Sequence, residues 1–179
     1  NGGVILLIGL ASLLAGWLYS AGSRPLSHTP WGESCVLLFF GLVAVAGSCF
    51  LQTGRFSALA LAFGVVPGLY SAAVLLVNNT RDLVQDRRAG RTTLAWLGRQ
   101  RAQQLYAVFL LLPFALLLPL AGALGQPWLG AVPLVLVPMA IMLIRRFGQR
   151  EGRALNQQLK DTSRLQALLC AVLLGCLLV

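Results

Sequence analysis

Phe56 to Thr80 reads FSALALAFGVVPGLYSAAVLLVNNT, without a charge anywhere, and passes directly into Arg81-Asp82-Leu83-Val84-Gln85-Asp86-Arg87-Arg88-Ala89-Gly90-Arg91. A helix needs about 20 apolar residues to cross a hydrocarbon core about 30 Å thick. The first stretch therefore reads as a membrane span, and the second as its charged exit. Outward from it, further charge-free runs cover Asn1 to Ser23, Ser34 to Gly54 and Ala102 to Ile144. The last is too long for one span. Gly122, Gly125 and Pro127 mark a turn near its middle, so it divides into Leu105 to Ala123 and Trp128 to Ile144. A final, shorter run covers Leu165 to Val179.

Composition agrees. The 179 residues are 58% hydrophobic and 11% charged, against about 25% charged in an average soluble domain, and the mean hydropathy is +0.79. A solvated globular domain and a disordered chain are both excluded. The net charge of +9 would suggest nucleic acid in a polar protein. Here the basic residues are sparse and separated by spans, so no nucleic-acid partner is expected and the lipid bilayer is. The expectation is one all-α membrane domain over residues 1–179, a bundle of six transmembrane helices. Gly64, Pro67, Gly68, Pro113, Pro119, Pro133 and Pro138 read as packing and kink positions, which neighbouring membrane helices accommodate.

If six spans alternate, the loops 20–33, 78–104 and 145–164 share one side. Of the 14 Lys and Arg, every one but Arg55 falls there. The positive-inside rule puts that side in the cytoplasm, giving a multi-pass protein of the cytoplasmic membrane. The cluster 145–164 reads as an interfacial anchor. Asn1 is not Met, and no basic region or cleavage-site pattern precedes the first span. With an outward N-terminus, this leads to the expectation that the chain is the later part of a longer protein. Cys35, Cys49, Cys170 and Cys176 fall inside spans without CxxC spacing and read as small packing residues. His28 is the only histidine, which excludes a multi-histidine metal centre.

Glu33, Glu151 and Asp161 each stand alone among polar loop residues. Asp82 and Asp86 do not. Four apart on a helix, they lie one turn apart on one face, and Asn78 extends that face by another turn. Two like charges at that spacing repel mildly, and a divalent cation reverses the sign. Carboxylates completed by a diphosphate are a usual way to hold Mg²⁺. Arg81, Arg87, Arg88 and Arg91 offer guanidinium forks that match phosphate oxygens. By itself the DxxxD spacing is also compatible with a solvated, positively charged loop.

The words of Asn78 to Ala95 are more specific. They resemble the second aspartate-rich motif of the UbiA-type intramembrane prenyltransferases, in the branch that prenylates 1,4-dihydroxy-2-naphthoate, whose pattern is NNxRDxxxDxxxGKxTLAxxLG. Arg91 replaces the usual Lys, and the stretch before Leu97-Gly98 is one residue shorter. Gly16 to Leu26, then Gly32-Glu33 and Leu38 to Val45, resemble the segment YTGGPRPLxYxGLGE…FFGLVAV of the same branch. His28 stands there for a Tyr and Ala21 for a Gly. Lys160 to Gln166 resembles the entry to the final helix.

The resemblance implies a nine-helix fold of which these six are the last, and two aspartate-rich motifs of which the first is absent from this chain. It implies Mg²⁺ held by Asp82 and Asp86 with Asn78 or Asn79. Diphosphate contacts would come from Arg24, Arg81 and Arg91, with Tyr19 nearby. The implied reaction joins a polyprenyl diphosphate to 1,4-dihydroxy-2-naphthoate, giving demethylmenaquinone, and the piece alone is expected to be inactive. The alternatives are another acceptor (4-hydroxybenzoate, homogentisate or haem), or a membrane transporter or scaffold in which the acidic pair is an ion site or a relic.

Overall fold

The computed structural model describes residues 2–21 and 25–178. Among them every regular element is helical. Seven helices follow one another: α1 Gly2–Ser20, α2 Gly32–Thr53, α3 Ala58–Arg81, the short α4 Leu83–Arg88, α5 Arg99–Ala123, α6 Trp128–Gln149 and α7 Leu155–Leu177. Five of them, α1, α2, α3, α5 and α6, are long and apolar enough to cross a membrane. The protein is an all-α, multi-pass membrane protein.

The sixth expected span differs from the other five. The helix begins at Leu155, ten residues before the apolar run expected from Leu165, and its first turns carry Lys160, Asp161 and Arg164. Those turns form because Gln158 and Thr162 are buried against neighbours while Lys160 and Arg164 stay exposed. Helices α5 and α6 likewise extend beyond their charge-free runs, to Arg99 and Gln149. Charge marks where a helix leaves hydrocarbon, not where its hydrogen bonding stops.

Helix α3 is the hub. Its Val66, Tyr70, Ala73 and Val77 recur at helical spacing and pack with Tyr106, Leu110, Phe114 and Leu117 of α5, Leu143 and Phe147 of α6, and Leu165 and Leu169 of α7. Against α2 the contact is closer still. A Cβ at Gly41 would lie 2.5 Å from the Gly64 carbonyl oxygen and 2.8 Å from Gly68 Cα, so the two backbones touch. With lipid on the outside, such close van der Waals approach is what holds membrane helices together. The α2 backbone widens to π geometry over Leu37–Val43, at this same seam. In α6, Pro133 and Pro138 remove backbone donors, and 3-10 geometry spans Val132–Leu136. No residue of α1 is buried.

The three basic segments converge on one end. Thr92 N–H donates to the His28 carbonyl at 2.8 Å. Arg81 donates to Asn156 Oδ1 at 2.9 Å, and Arg99 donates to the Phe147 carbonyl at 2.6 Å. At the opposite end lie the α2–α3 turn, where Phe50 stacks on Phe56, and the α5–α6 turn, where Gly125 takes a positive φ. There Trp128 Nε1 donates to the Cys176 carbonyl at 3.1 Å.

Candidate active site

Helix α3 carries the acidic motif out of the bundle. Asp82 leaves helical geometry at φ −93° and ψ 5°, and α4 restarts at Leu83. The pitch survives this break. Asp82 N–H donates to the Asn78 carbonyl at 3.0 Å, and Asp86 N–H to the Asp82 carbonyl at 2.9 Å. Asn78, Asp82 and Asp86 are thus separated by successive turns.

The two acids sit in unlike surroundings. Asp82, with a side chain 30% exposed, takes both Nε and Nη2 of Arg81, at 2.7 and 2.6 Å. Those hydrogen bonds hold its carboxyl below the usual carboxylate range against the opposing effect of partial burial, with help from the Arg81 and Arg91 charges. Arg81 Nη2 also donates to Asn78 Oδ1 at 2.8 Å, so one guanidinium joins Asn78, Asp82 and Asn156. Asp86 is buried, 5% exposed, and takes Arg91 Nη1 at 3.0 Å. The Asp86 carbonyl also accepts Arg91 N–H at 2.9 Å, closing the turn through Gly90. Arg87 lies over the Trp96 ring, 5.2 Å from its centroid, and Arg88 is exposed.

Asn78 also lines a cleft of about 580 Å³ between α1, α2, α3 and α7. Its walls are mainly apolar, with Val36, Phe40, Val74 and Leu159 among them, and Tyr19, Ser163 and Gln166 add polar groups. A second apolar cleft of about 500 Å³ lies between α1 and α2 and shares Tyr19, Val36 and Phe40 with the first. Asn79 faces elsewhere: its Nδ2 donates to the buried Glu33 carboxyl at 2.9 Å. Arg24 lies outside the described residues.

Hard oxygen donors of this kind fit a divalent cation of the Mg²⁺ type. Each carboxylate oxygen bound to arginine keeps a second lone pair, and Asn78 adds an amide oxygen. Among the described residues no group of three or more His, Cys, Asp or Glu side chains is placed to hold a metal. The set therefore suits an ion that completes its shell with water and phosphate oxygens, not a closed protein cage.

Several partners were not legible in the sequence. Glu33 is an interior acid tied to the motif, although it follows a run of loop-like residues. Asp161 pairs with Arg150 at 3.4 Å and Arg164 at 3.5 Å. Arg150 turns inward from the basic cluster to Gln158 at 3.0 Å, whereas Arg145, Arg146 and Arg153 are exposed. Asn156 carried no signal at all.

Comparison with known proteins adds a further line. The chain is 38% identical over 161 residues to a 1,4-dihydroxy-2-naphthoate octaprenyltransferase of Mycobacterium tuberculosis, an alignment covering 88% of this chain and 54% of that protein. It is 34% identical over 148 residues to one of Bacillus subtilis, covering 81% and 47%. To the UbiA prenyltransferase domain-containing protein 1 homolog of Drosophila melanogaster it is 32% identical over 160 residues, covering 89% and 43%. The chain spans about half the length of these relatives. The pattern of the UbiA prenyltransferase family matches residues 2–170, which takes in the first six helices, most of α7, the Asn78–Arg91 stretch and the cleft. The chain belongs to that family.

Proposed function

We propose that this chain forms the second aspartate-rich half of a prenyltransferase that moves a polyprenyl group from its diphosphate to 1,4-dihydroxy-2-naphthoate, giving demethylmenaquinol, which a separate two-electron oxidant converts to demethylmenaquinone. One observation carries the reading: two carboxylates one helical turn apart, each matched with an arginine, follow the helix whose Asn78 opens onto an apolar cleft. The names of the relatives at 38% and 34% identity support the acceptor.

The hard step is breaking the C1–O bond, which sends its electron pair to the diphosphate and leaves an allylic cation. Asp82 and Asp86, with Asn78 or Asn79, would hold Mg²⁺, which when bound neutralises the leaving diphosphate as a Lewis acid. Arg81 and Arg91 stand beside the acids and exchange carboxylate for phosphate oxygens as the substrate arrives. Arg24 and Tyr19 complete the diphosphate contacts. The apolar cleft takes the isoprene units and keeps water from the cation. The acceptor ring carbon then forms the new bond to C1 and the carboxylate leaves as carbon dioxide, so the ring remains a hydroquinone. The charged end faces the cytoplasm across the cytoplasmic membrane. Because the chain spans about half the length of its relatives, the 179 residues are expected to be inactive on their own.

The test uses the protein expressed from the full open reading frame that contains this chain. Membranes given Mg²⁺, a polyprenyl diphosphate and 1,4-dihydroxy-2-naphthoate should form demethylmenaquinol, identified by mass as demethylmenaquinone after oxidation in air. Asp82→Ala and Asp86→Ala should each abolish it while the protein still accumulates in the membrane. Undiminished turnover in either variant refutes the metal assignment, and prenylation of 4-hydroxybenzoate in its place reassigns the acceptor.

A further inference from the structure

Glu33 lies in the first turn of α2, 1% exposed. Its Oε1 accepts from Asn79 Nδ2 at 2.9 Å, while Oε2 is buried and has no hydrogen-bond partner among the described residues. Leaving a buried carboxyl oxygen unmatched costs free energy that an apolar side chain of the same size would not. Packing alone therefore does not account for the group. Its described side-chain partner is informative. Asn79, 7% exposed, stands in the last turn of α3, beside Asn78 and three residues before Asp82.

A carboxylate can only accept, so the hydrogen bond sets the Asn79 amide with its NH₂ toward Glu33. The amide oxygen then faces the other way, and no described donor reaches it. The base of this arrangement is rigid: α2 and α3, which carry the two partners, touch backbone to backbone at Gly41, Gly64 and Gly68. A side chain fixed by a hydrogen bond from a rigid neighbouring element is the usual way an oxygen ligand is held in register.

We propose that Glu33 is a positioning residue for the divalent-cation centre, fixing the Asn79 carboxamide so that its Oδ1 serves as an oxygen ligand beside Asp82 and Asp86. The inference rests on the metal reading above and extends it to a residue on a different helix. Asn78 Oδ1 already accepts from Arg81, so Asn79 adds a second amide oxygen to the set, one whose orientation is fixed from the other side by Glu33.

The experiment measures Mn²⁺ binding by electron paramagnetic resonance, with inorganic diphosphate present, in the protein from the full open reading frame. Glu33→Met keeps the volume and removes the acceptor; it should weaken Mn²⁺ binding about tenfold or more, the usual scale for an outer partner of a ligand. Glu33→Gln keeps an acceptor oxygen and should stay within about threefold of wild type. Asn79→Ala should weaken binding similarly to Glu33→Met, and the double variant should be no worse than Asn79→Ala alone, since both act through one ligand. Wild-type Mn²⁺ affinity in Glu33→Met, or additive losses in the double variant, overturns the proposal. Should Glu33→Met fail to accumulate, Asn79→Ala with unchanged Mn²⁺ affinity overturns it equally. Glu33-dependent Mn²⁺ binding in a protein that prenylates no acceptor would sink the transferase reading and leave this inference standing.

Discussion

Replacing Gly41 by alanine tests how closely the α2–α3 seam holds the site together. The new Cβ would stand 2.5 Å from the Gly64 carbonyl oxygen and 2.8 Å from Gly68 Cα. Carbon contacts settle at about 3.5–4.0 Å, so the methyl is roughly an ångström too close to backbone on both counts. Backbone cannot rotate away as a side chain can, so the helices must part. Overpacking of this kind costs about 1–3 kcal/mol. For a chain of this size each kcal/mol shifts Tm by about 2–4 °C, so a fall of about 2–12 °C is expected in detergent-solubilised protein followed by tryptophan fluorescence. Parting the helices also stretches the 2.9 Å Glu33–Asn79 hydrogen bond between the same two elements, so Mn²⁺ binding should weaken with stability. Gly47 provides the internal control. It lies on the same helix, and nothing stands within 4 Å of its would-be Cβ. Gly47→Ala should therefore gain about 0.5–1 kcal/mol from helix propensity. A Gly41→Ala protein that melts within a degree of wild type, or two variants that shift in the same direction, would refute the seam.

Three further outcomes follow from the interior polar groups and the acids. Tyr106→Phe should cost only about 1 kcal/mol, because Thr162 still donates to the Gln158 carbonyl and Gln158 Nε2 still reaches the Leu143 carbonyl. Gln158→Ala should cost about 3 kcal/mol, because it opens a cavity and strips Arg150 and the Tyr106 hydroxyl of a partner; equal melting shifts for the two would count against this network. For Asp82, the Arg81 hydrogen bonds lower the folded value, so their contribution to stability is complete above the unfolded value near 3.9 and is lost as pH falls through the lower folded one. Arg81→Ala should therefore move the acid limb of Mn²⁺ binding to higher pH, and a limb left where wild type has it would show that Arg81 does not set the Asp82 charge.

The stretch from Phe56 to Arg91 was legible for a physical reason. A span must be apolar throughout, and the proposed metal–diphosphate chemistry calls for acids and arginines at its edge. Both demands are local, and both are written in consecutive residues. What no run of residues could disclose was which face of each helix turns inward. Within a membrane the lipid-facing and core-facing sides are equally apolar, so the 66–70–73–77 stripe of α3 is invisible in composition and emerges only from packing. The last helix shows the converse. Its charged opening turns look like loop until Gln158 and Thr162 find Tyr106 and the Leu143 carbonyl.

Partners far apart in sequence follow the same division. Residue types and spacing alone determined that this is an all-helical membrane chain carrying an acidic pair. Only the tertiary structure decided that Glu33 is tied to Asn79 and Asn156 to Arg81, forty-six and seventy-five residues away. Hydrogen bonds of that kind are made by the crossing of helices, and a crossing depends on where glycine lets two backbones meet.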